Sequence, residues 1–152
     1  MNAPLKRPQP ADPGFAARCR ASFARQKAMA LIGARLASIE PGRCEIELDW
    51  RAELTQQKGF LHGGIVGMIA DTACGYAAYS LMPATSSLVT VEYKINMLAP
   101  GRGERFVARA EVLKAGRSLT VTRGEVLAGG GTLCAVMQQT LMMLPDTPDS
   151  PE

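Results

Sequence analysis

The sequence predicts an α+β domain in which a curved antiparallel sheet covers one long central helix. Three observations carry that prediction. Residues 62–82 form a long, nearly uncharged stretch stopped by Pro83; Leu88 to Met97 alternates strictly between apolar and polar; three further strand-like stretches follow, separated by glycine-bearing turns. Strands that run together after a helix, instead of alternating with helices, belong to a sheet lying on one helix and not to a doubly wound parallel sheet. At 152 residues, 47% of them apolar, the chain can build one core, and one domain is expected over residues 15–144.

The elements follow in order. Residues 1–14 carry Pro4, Pro8, Pro10 and Pro13 and lack the apolar run of a secretory signal, so they are expected to form a disordered tail. Phe15, Cys19 and Phe23 recur at helical spacing among Arg18, Arg20, Arg25 and Lys27, which predicts an amphipathic helix over 15–27. Residues 29–39 and 43–50 read as two strands joined by the turn Glu40-Pro41-Gly42-Arg43. A polar, aperiodic segment, 51–61, leads through Gly59 into the central helix of 62–82. In the next strand Val89, Val91, Tyr93, Ile95 and Met97 form one face and Thr90, Glu92, Lys94 and Asn96 the other, so it is expected to be half-buried. Strands over 105–114, 118–127 and 132–144 complete a four-stranded meander, with Ala115-Gly116-Arg117 and Gly129-Gly130-Gly131 as hairpin turns. Residues 145–152, rich in proline and acid, are read as a tail.

Composition excludes several functions. Seventeen basic and 14 acidic residues leave a scattered net charge of +3, and residues 1–28 are too short for a recognition domain, so no nucleic-acid partner is expected. Gly63 to Ala84 is 22 residues long with a single charge, Asp71, yet it is built from Ala, Gly, Thr, Ser and Tyr. A central aspartate costs on the order of 2.5 to 3.5 kcal/mol on insertion scales, which favours a soluble core helix in a cytoplasmic protein over a membrane span. The four cysteines lack a C-x-x-C pair and only one histidine could join them, so reduced, buried thiols are expected and no metal site. Cys74, one turn after Asp71, has no base nearby and reads as packing. There is no G-x-S-x-G elbow, P-loop, dinucleotide fingerprint or H-E-x-x-H.

What remains is Gly59-Phe60-Leu61-His62-Gly63-Gly64, followed by a helix with one carboxylate. Each glycine in a helix interior costs about 1 kcal/mol against alanine, so this pair needs a reason. A helix N-terminus offers unpaired N–H groups and partial positive charge, and glycine lets a carbonyl approach them, as an oxyanion hole requires. Asp71 is the only ionisable group among Met68, Ile69, Ala70, Ala73 and Cys74. Gly63 and Asp71 lie roughly 12 Å apart along one helix, too far for one site. Two copies of the helix, antiparallel about a two-fold axis, would bring Asp71 of one beside Gly63 of the other. Plainer readings exist for each residue: His62 organising the turn, the glycines packing closely, Asp71 satisfied by hydroxyls.

Through His62-Gly63-Gly64 followed by Ala70-Asp71, residues 28–144 resemble the hot-dog-fold thioesterases, within them the phenylacetate-pathway (PaaI-like) acyl-CoA thioesterases. The resemblance implies a helix wrapped by a curved sheet, a homodimer with a continuous sheet, and often a homotetramer built from two such dimers. It makes Gly63 the main-chain donor to the thioester carbonyl and Asp71 either the nucleophile or the general base, with Gln56 and Thr90 as assisting residues and Gly64 beside the substrate. Lys114, Gly116 and Arg117 match a basic turn that approaches coenzyme A phosphates. Met68, Tyr76, Met82 and Met97 are candidate lining residues. The implied substrate is a medium-chain or aromatic acyl-CoA, with no cofactor beyond the coenzyme A it carries. A non-catalytic acyl-CoA sensor and a hydratase or dehydratase are the rival readings.

Overall fold

The computed structural model describes residues 8–147 and Asp149. Helices α1 (Phe15–Ala24) and α2 (Lys27–Ile32) precede strands β1 (Arg35–Glu40) and β2 (Arg43–Asp49); helix α3 (Gly63–Tyr79) follows, then β3 (Ser87–Met97), β4 (Arg105–Ala115), β5 (Leu119–Ala128) and β6 (Thr132–Leu144). The predicted helix over 15–27 stops at Ala24, and residues 29–32, expected in the first strand, are helical instead. The cause is Gly33, whose φ of 76° supplies a left-handed cap: its N–H donates to Ala30 O and the Ala34 N–H to Met29 O, closing α2 before β1 begins.

All six strands pair antiparallel in the order β1-β2-β4-β5-β6-β3. The expected meander therefore holds for β4, β5 and β6 but not for β3, which lies at the far edge against β6. The connection from Leu98 to Glu104 contains Pro100, Gly101 and Gly103, and Gly101 bridges to Leu61 instead of closing a hairpin. That leaves an edge of β4 free for β2, in register from Arg43 opposite Glu111 to Asp49 opposite Arg105.

The sheet curls around α3. Val66, Ile69, Ala70, Ala73, Cys74 and Ala77 pack against Ile46, Leu48, Phe106, Val126 and Leu141 in one core. The small residues of α3 let it sit deep, and β5 answers with Gly124, where a Cβ would fall 2.9 Å from Cys74 Sγ. On the outer face of the sheet, Glu45 pairs with Arg109 at 2.8 Å and Arg35 with Asp49 at 2.8 Å, a polar surface whose charges answer one another across strands. No described helix is long and apolar enough to cross a membrane.

Helix α3 ends at Tyr79, three residues before the expected 82. Ser80 Oγ donates to Ala77 O at 2.7 Å and accepts the Gly42 N–H at 2.8 Å, tying the helix end to the β1–β2 turn. Arg18 supplies the rest of the cap. Its guanidinium donates to the carbonyls of Tyr79 (3.2 Å) and Met82 (2.8 Å), lies 4.1 Å over the Tyr79 ring, and is held by Asp12 at 2.8 Å. Both carbonyls lie at the negative end of α3: Tyr79, its last residue, also accepts the Met82 N–H at 3.1 Å, and Met82 belongs to the turn that follows. The described part of the expected N-terminal tail is thus docked, with the Ala11 N–H donating to Leu81 O at 3.2 Å. In the expected C-terminal tail, Asp149 accepts from Arg25 at 3.0 Å; the remainder of both tails, residues 1–7, 148 and 150–152, lies outside the described residues.

Strand β3 departs from its predicted alternation at Val91, which bulges between Thr90, opposite Leu141, and Glu92, opposite Thr140. Residues directly opposite in an antiparallel pair share a face. Leu141, Gln139, Met137 and Ala135 are buried towards α3, so Leu88 and Thr90 before the bulge, and Tyr93, Ile95 and Met97 after it, face the helix side. Val89 faces outward. The bulge is what turns Thr90 inward without turning Tyr93 outward. Nor is the strand half-buried within one chain: Val91, Tyr93 and Met97 remain half exposed.

Replacing Arg18 with methionine keeps the aliphatic bulk but deletes the cap of α3. The Arg18→Met protein is expected to lose about 2 kcal/mol of stability and several degrees of Tm, read by thermal denaturation.

Candidate active site

Two clefts flank the two ends of α3. The first begins at His62, the N-cap residue, in extended backbone (φ −61°, ψ 135°), whose Nδ1 accepts the Gly64 N–H at 2.9 Å. An accepting Nδ1 carries no proton, so the neutral ring holds its proton on Nε2. The His62 carbonyl accepts from Ile65 (2.9 Å) and Val66 (3.1 Å), and its own N–H donates to Leu54 O at 2.9 Å. His62 thus does organise the turn. Its capping consumes the N–H of Gly64, which is therefore not available to a substrate, while the N–H of Gly63 meets no protein acceptor among the described residues. A cleft of about 430 Å³ opens here, bordered by Gln56, Phe60, Gly63, Met97 and Leu98. A Cβ at Gly63 would sit 3.5 Å from Met97 Cε, so the approach to its N–H passes beside that flexible side chain. Gln56 lines the same cleft, its Oε1 accepting the Lys58 N–H.

The second cleft, of about 160 Å³, holds Asp71 together with Thr72, Tyr76, Leu88 and Thr90. Thr90 Oγ1 donates to Asp71 Oδ1 at 3.0 Å. A residue that sequence reasoning missed completes this group: Gln139 of β6, whose Nε2 donates to Asp71 Oδ1 at 2.5 Å and to Thr90 Oγ1 at 2.7 Å. Its signal was present, because Gln139 takes a core position in the alternation Ala135, Met137, Gln139, Leu141, where an amide has no packing reason to be. With Oδ1 engaged twice, Oδ2 of Asp71 has no protein partner among the described residues and keeps contact with solvent.

The remaining candidates divide. Tyr76 lines the Asp71 cleft but is buried, its hydroxyl 2.9 Å from Ser22 Oγ and its ring edge-on to Phe23 and Tyr79; burial pushes its hydroxyl up to about 12. Met68 packs half-buried against the core, Met82 belongs to that core, and Met97 borders the Gly63 cleft. Lys114, Gly116 and Arg117 are exposed and border neither cleft; Gly116 closes the turn, its N–H donating to Leu119 O at 2.8 Å. The rung Thr120–Leu141–Thr90 sets Thr120, three residues after Arg117, two strands and roughly 10 Å from Thr90, so the turn lies towards the Asp71 end of the sheet. Within one chain the structure brings Gln56 to Gly63 and Thr90 to Asp71, and it keeps the two groups apart.

A helix wrapped by a six-stranded antiparallel sheet, with an unpaired N–H at its glycine start and a held carboxylate eight residues on, defines a hot-dog fold of the thioesterase type. The chain belongs to the Thioesterase superfamily, whose sequence profile matches residues 58–135. A crystal structure of a thioesterase family protein from Silicibacter pomeroyi shares 50% identity with a TM-score of 0.85, covering 87% of this chain and 99% of that one. The PaaI protein of the Escherichia coli phenylacetic acid degradation operon shares the fold, at 20% identity and a TM-score of 0.80 over 88% of this chain and 98% of its own. The Escherichia coli medium/long-chain acyl-CoA thioesterase YigI is 30% identical over 82 residues, 45% of this chain and 53% of that protein.

The four cysteines are buried and free of disulfides. Burial raises the Cys74 thiol to about 12 and Cys19 to about 11, which leaves almost no thiolate near neutrality. Iodoacetamide at about pH 8 is therefore expected to leave native Cys19, Cys44, Cys74 and Cys134 unmodified for a period that labels all four after denaturation, read by intact mass.

Proposed function

We propose that the protein hydrolyses acyl-CoA thioesters to a free acid and coenzyme A, in the cytoplasm, at sites shared between two subunits. The observation that carries this reading is the pairing of an unengaged Gly63 N–H with a carboxylate whose second oxygen is free, in two clefts that both border β3. Strand β3 is an edge with unpaired backbone and half-exposed side chains on its helix side, as a strand awaiting a partner would be. Thr90 sits near one end of it and Met97 at the other. Antiparallel pairing of β3 with its copy, about a two-fold axis near Tyr93 and Lys94, sets Thr90 and Asp71 of one chain against Met97 and Gly63 of the next.

In the shared site the thioester carbonyl oxygen accepts the Gly63 N–H, at the positive end of α3, where the tetrahedral intermediate places its negative charge. Asp71 Oδ2 either adds to the carbonyl carbon or removes a proton from the water that adds. In both routes the C–S bond breaks, sulfur leaves with the electron pair and is protonated, and water supplies the new oxygen of the acid. Gln56 of the Gly63 cleft stands where it can orient that water. The acyl group is medium-chain or aromatic, consistent with a compact cleft beside Tyr76 and Leu88. Lys114 and Arg117 offer point charges to the coenzyme A phosphates at the Asp71 end.

Thiol release from a panel of acyl-CoA esters, phenylacetyl-CoA included, is expected to show turnover that Asp71→Asn abolishes; near-native turnover in that variant sinks the assignment, and tight binding without turnover in the native protein moves it to a sensor. Mixing inactive Asp71→Ala and Gly63→Val subunits is expected to restore about a quarter of native turnover, because half the dimers are mixed and each has one intact site. A site within one chain would give none. Lys114→Ala and Arg117→Ala are expected to raise KM more than they lower kcat; an unchanged KM in both removes the turn from the site.

A further inference from the structure

We infer that Gln139 is a positioning residue for the reaction, one that holds Asp71 so that a single carboxylate oxygen, Oδ2, is left to act. The inference rests on the reading of Asp71 as the reacting carboxylate and adds a residue that this reading did not require. Gln139 is 1% exposed, on the β6 face that otherwise presents Ala135, Met137 and Leu141 to α3. Its amide spends both N–H groups on the site, one on Asp71 Oδ1 and one on Thr90 Oγ1. Its own Oε1 is buried with no partner among the described residues. A buried carbonyl left unpaired is destabilising, so the amide is not there to improve the core. Turning it over would set Oε1 against the acceptor oxygens of the carboxylate, so the electrostatics of the pair select the orientation with the donors inward.

The three side chains form a closed triangle of directed bonds. Thr90 has one hydroxyl proton; because its oxygen receives the Gln139 N–H, that proton is directed to Asp71 Oδ1. Asp71 cannot rotate about its terminal bond without breaking both bonds to Oδ1. Oδ2 is thereby held in one direction, which a nucleophile needs to meet the carbonyl carbon and a base needs to meet a water. The β3 bulge at Val91 completes the device, since it brings Thr90 to this face. The triangle thus draws on α3, β3 and β6, and Gln139 touches none of the reacting atoms.

The test compares Gln139→Met, which keeps length and volume but has no donor, with Gln139→Glu, which keeps shape and replaces the donor by a second carboxyl. For Gln139→Met a fall in kcat of about tenfold or more is expected, with KM within about twofold and Tm equal to or above the native value, as relief of the unpaired carbonyl requires. For Gln139→Glu the acidic side of the pH–rate profile is expected to move to higher pH, because two carboxyl groups sharing one site ionise less readily. Thr90→Val is expected to cost less in the Gln139→Met background than in the native one, since both residues act on one oxygen. Near-native kcat in Gln139→Met, with Asp71→Asn inactive, overturns the inference alone. Near-native kcat in Asp71→Asn overturns the site itself and the inference with it. Should Gln139→Met fail to fold, a Gln139→Glu protein with native kcat and an unmoved profile overturns the inference.

Discussion

The depth at which α3 sits in the sheet is the constraint on which the rest depends. Ala70, Ala73, Cys74 and Ala77 make the buried side of the helix thin, and Gly124 removes a Cβ of β5 that would crowd Cys74 Sγ. Only at that depth does the carboxylate of Asp71 come within reach of two strands at once, Thr90 from β3 and Gln139 from β6. The same depth buries the end of α3, where the carbonyls of Tyr79 and Met82 gain a charged partner brought from outside. Arg18 is that partner, which is why the segment from Ala11 to Ala24 packs across the helix end.

A helix buried along its length still keeps its N-terminus at the surface, and the chain uses that end for chemistry. His62 satisfies one of the first N–H groups and leaves the neighbouring one, on Gly63, unengaged. A cap that took both would make a better helix and no anion site. The opposite economy holds at Gln139, where a core position accepts an unpaired carbonyl so that its donors can face a carboxylate. Both are local departures from best stability, and both lie beside β3. In the proposed dimer that strand joins them: its ends carry the two half-sites, and its unpaired edge is what a second copy would cover.

Much of the fold was legible because it rests on periodicity. The sheet strands from Leu88 onward and the central helix appear where the apolar spacing puts them, within a few residues. What failed did so for identifiable reasons. Residues 29–32 carry an apolar run that suits strand or helix equally, and the left-handed Gly33 decided for helix. The position of β3 beside β6 depended on which strand took the free edge of β4, a competition between distant segments. Of the candidate site, His62, Gly63 and Asp71 were visible as local oddities, a glycine pair and a lone charge where a helix tolerates neither well. Gln139 gave a weaker sign, its place among Ala135, Met137 and Leu141, which could not be read until that face was known to be core, because Cys134, Val136 and Met142 make the other face of β6 apolar as well.

By itself the sequence determined the class of the fold, the central helix with its glycine start and single carboxylate, and the separation of roughly 12 Å that keeps the two from sharing one site within a chain. These follow from short-range rules: helix rise, side-chain period, the chemistry of an unpaired N–H. Only the tertiary structure decided the strand order, the bulge at Val91 that turns Thr90 towards Asp71, and the placing of Gln139 against both. Each of those requires segments distant in the chain to meet, through hydrogen bonds and packing that no local spacing records.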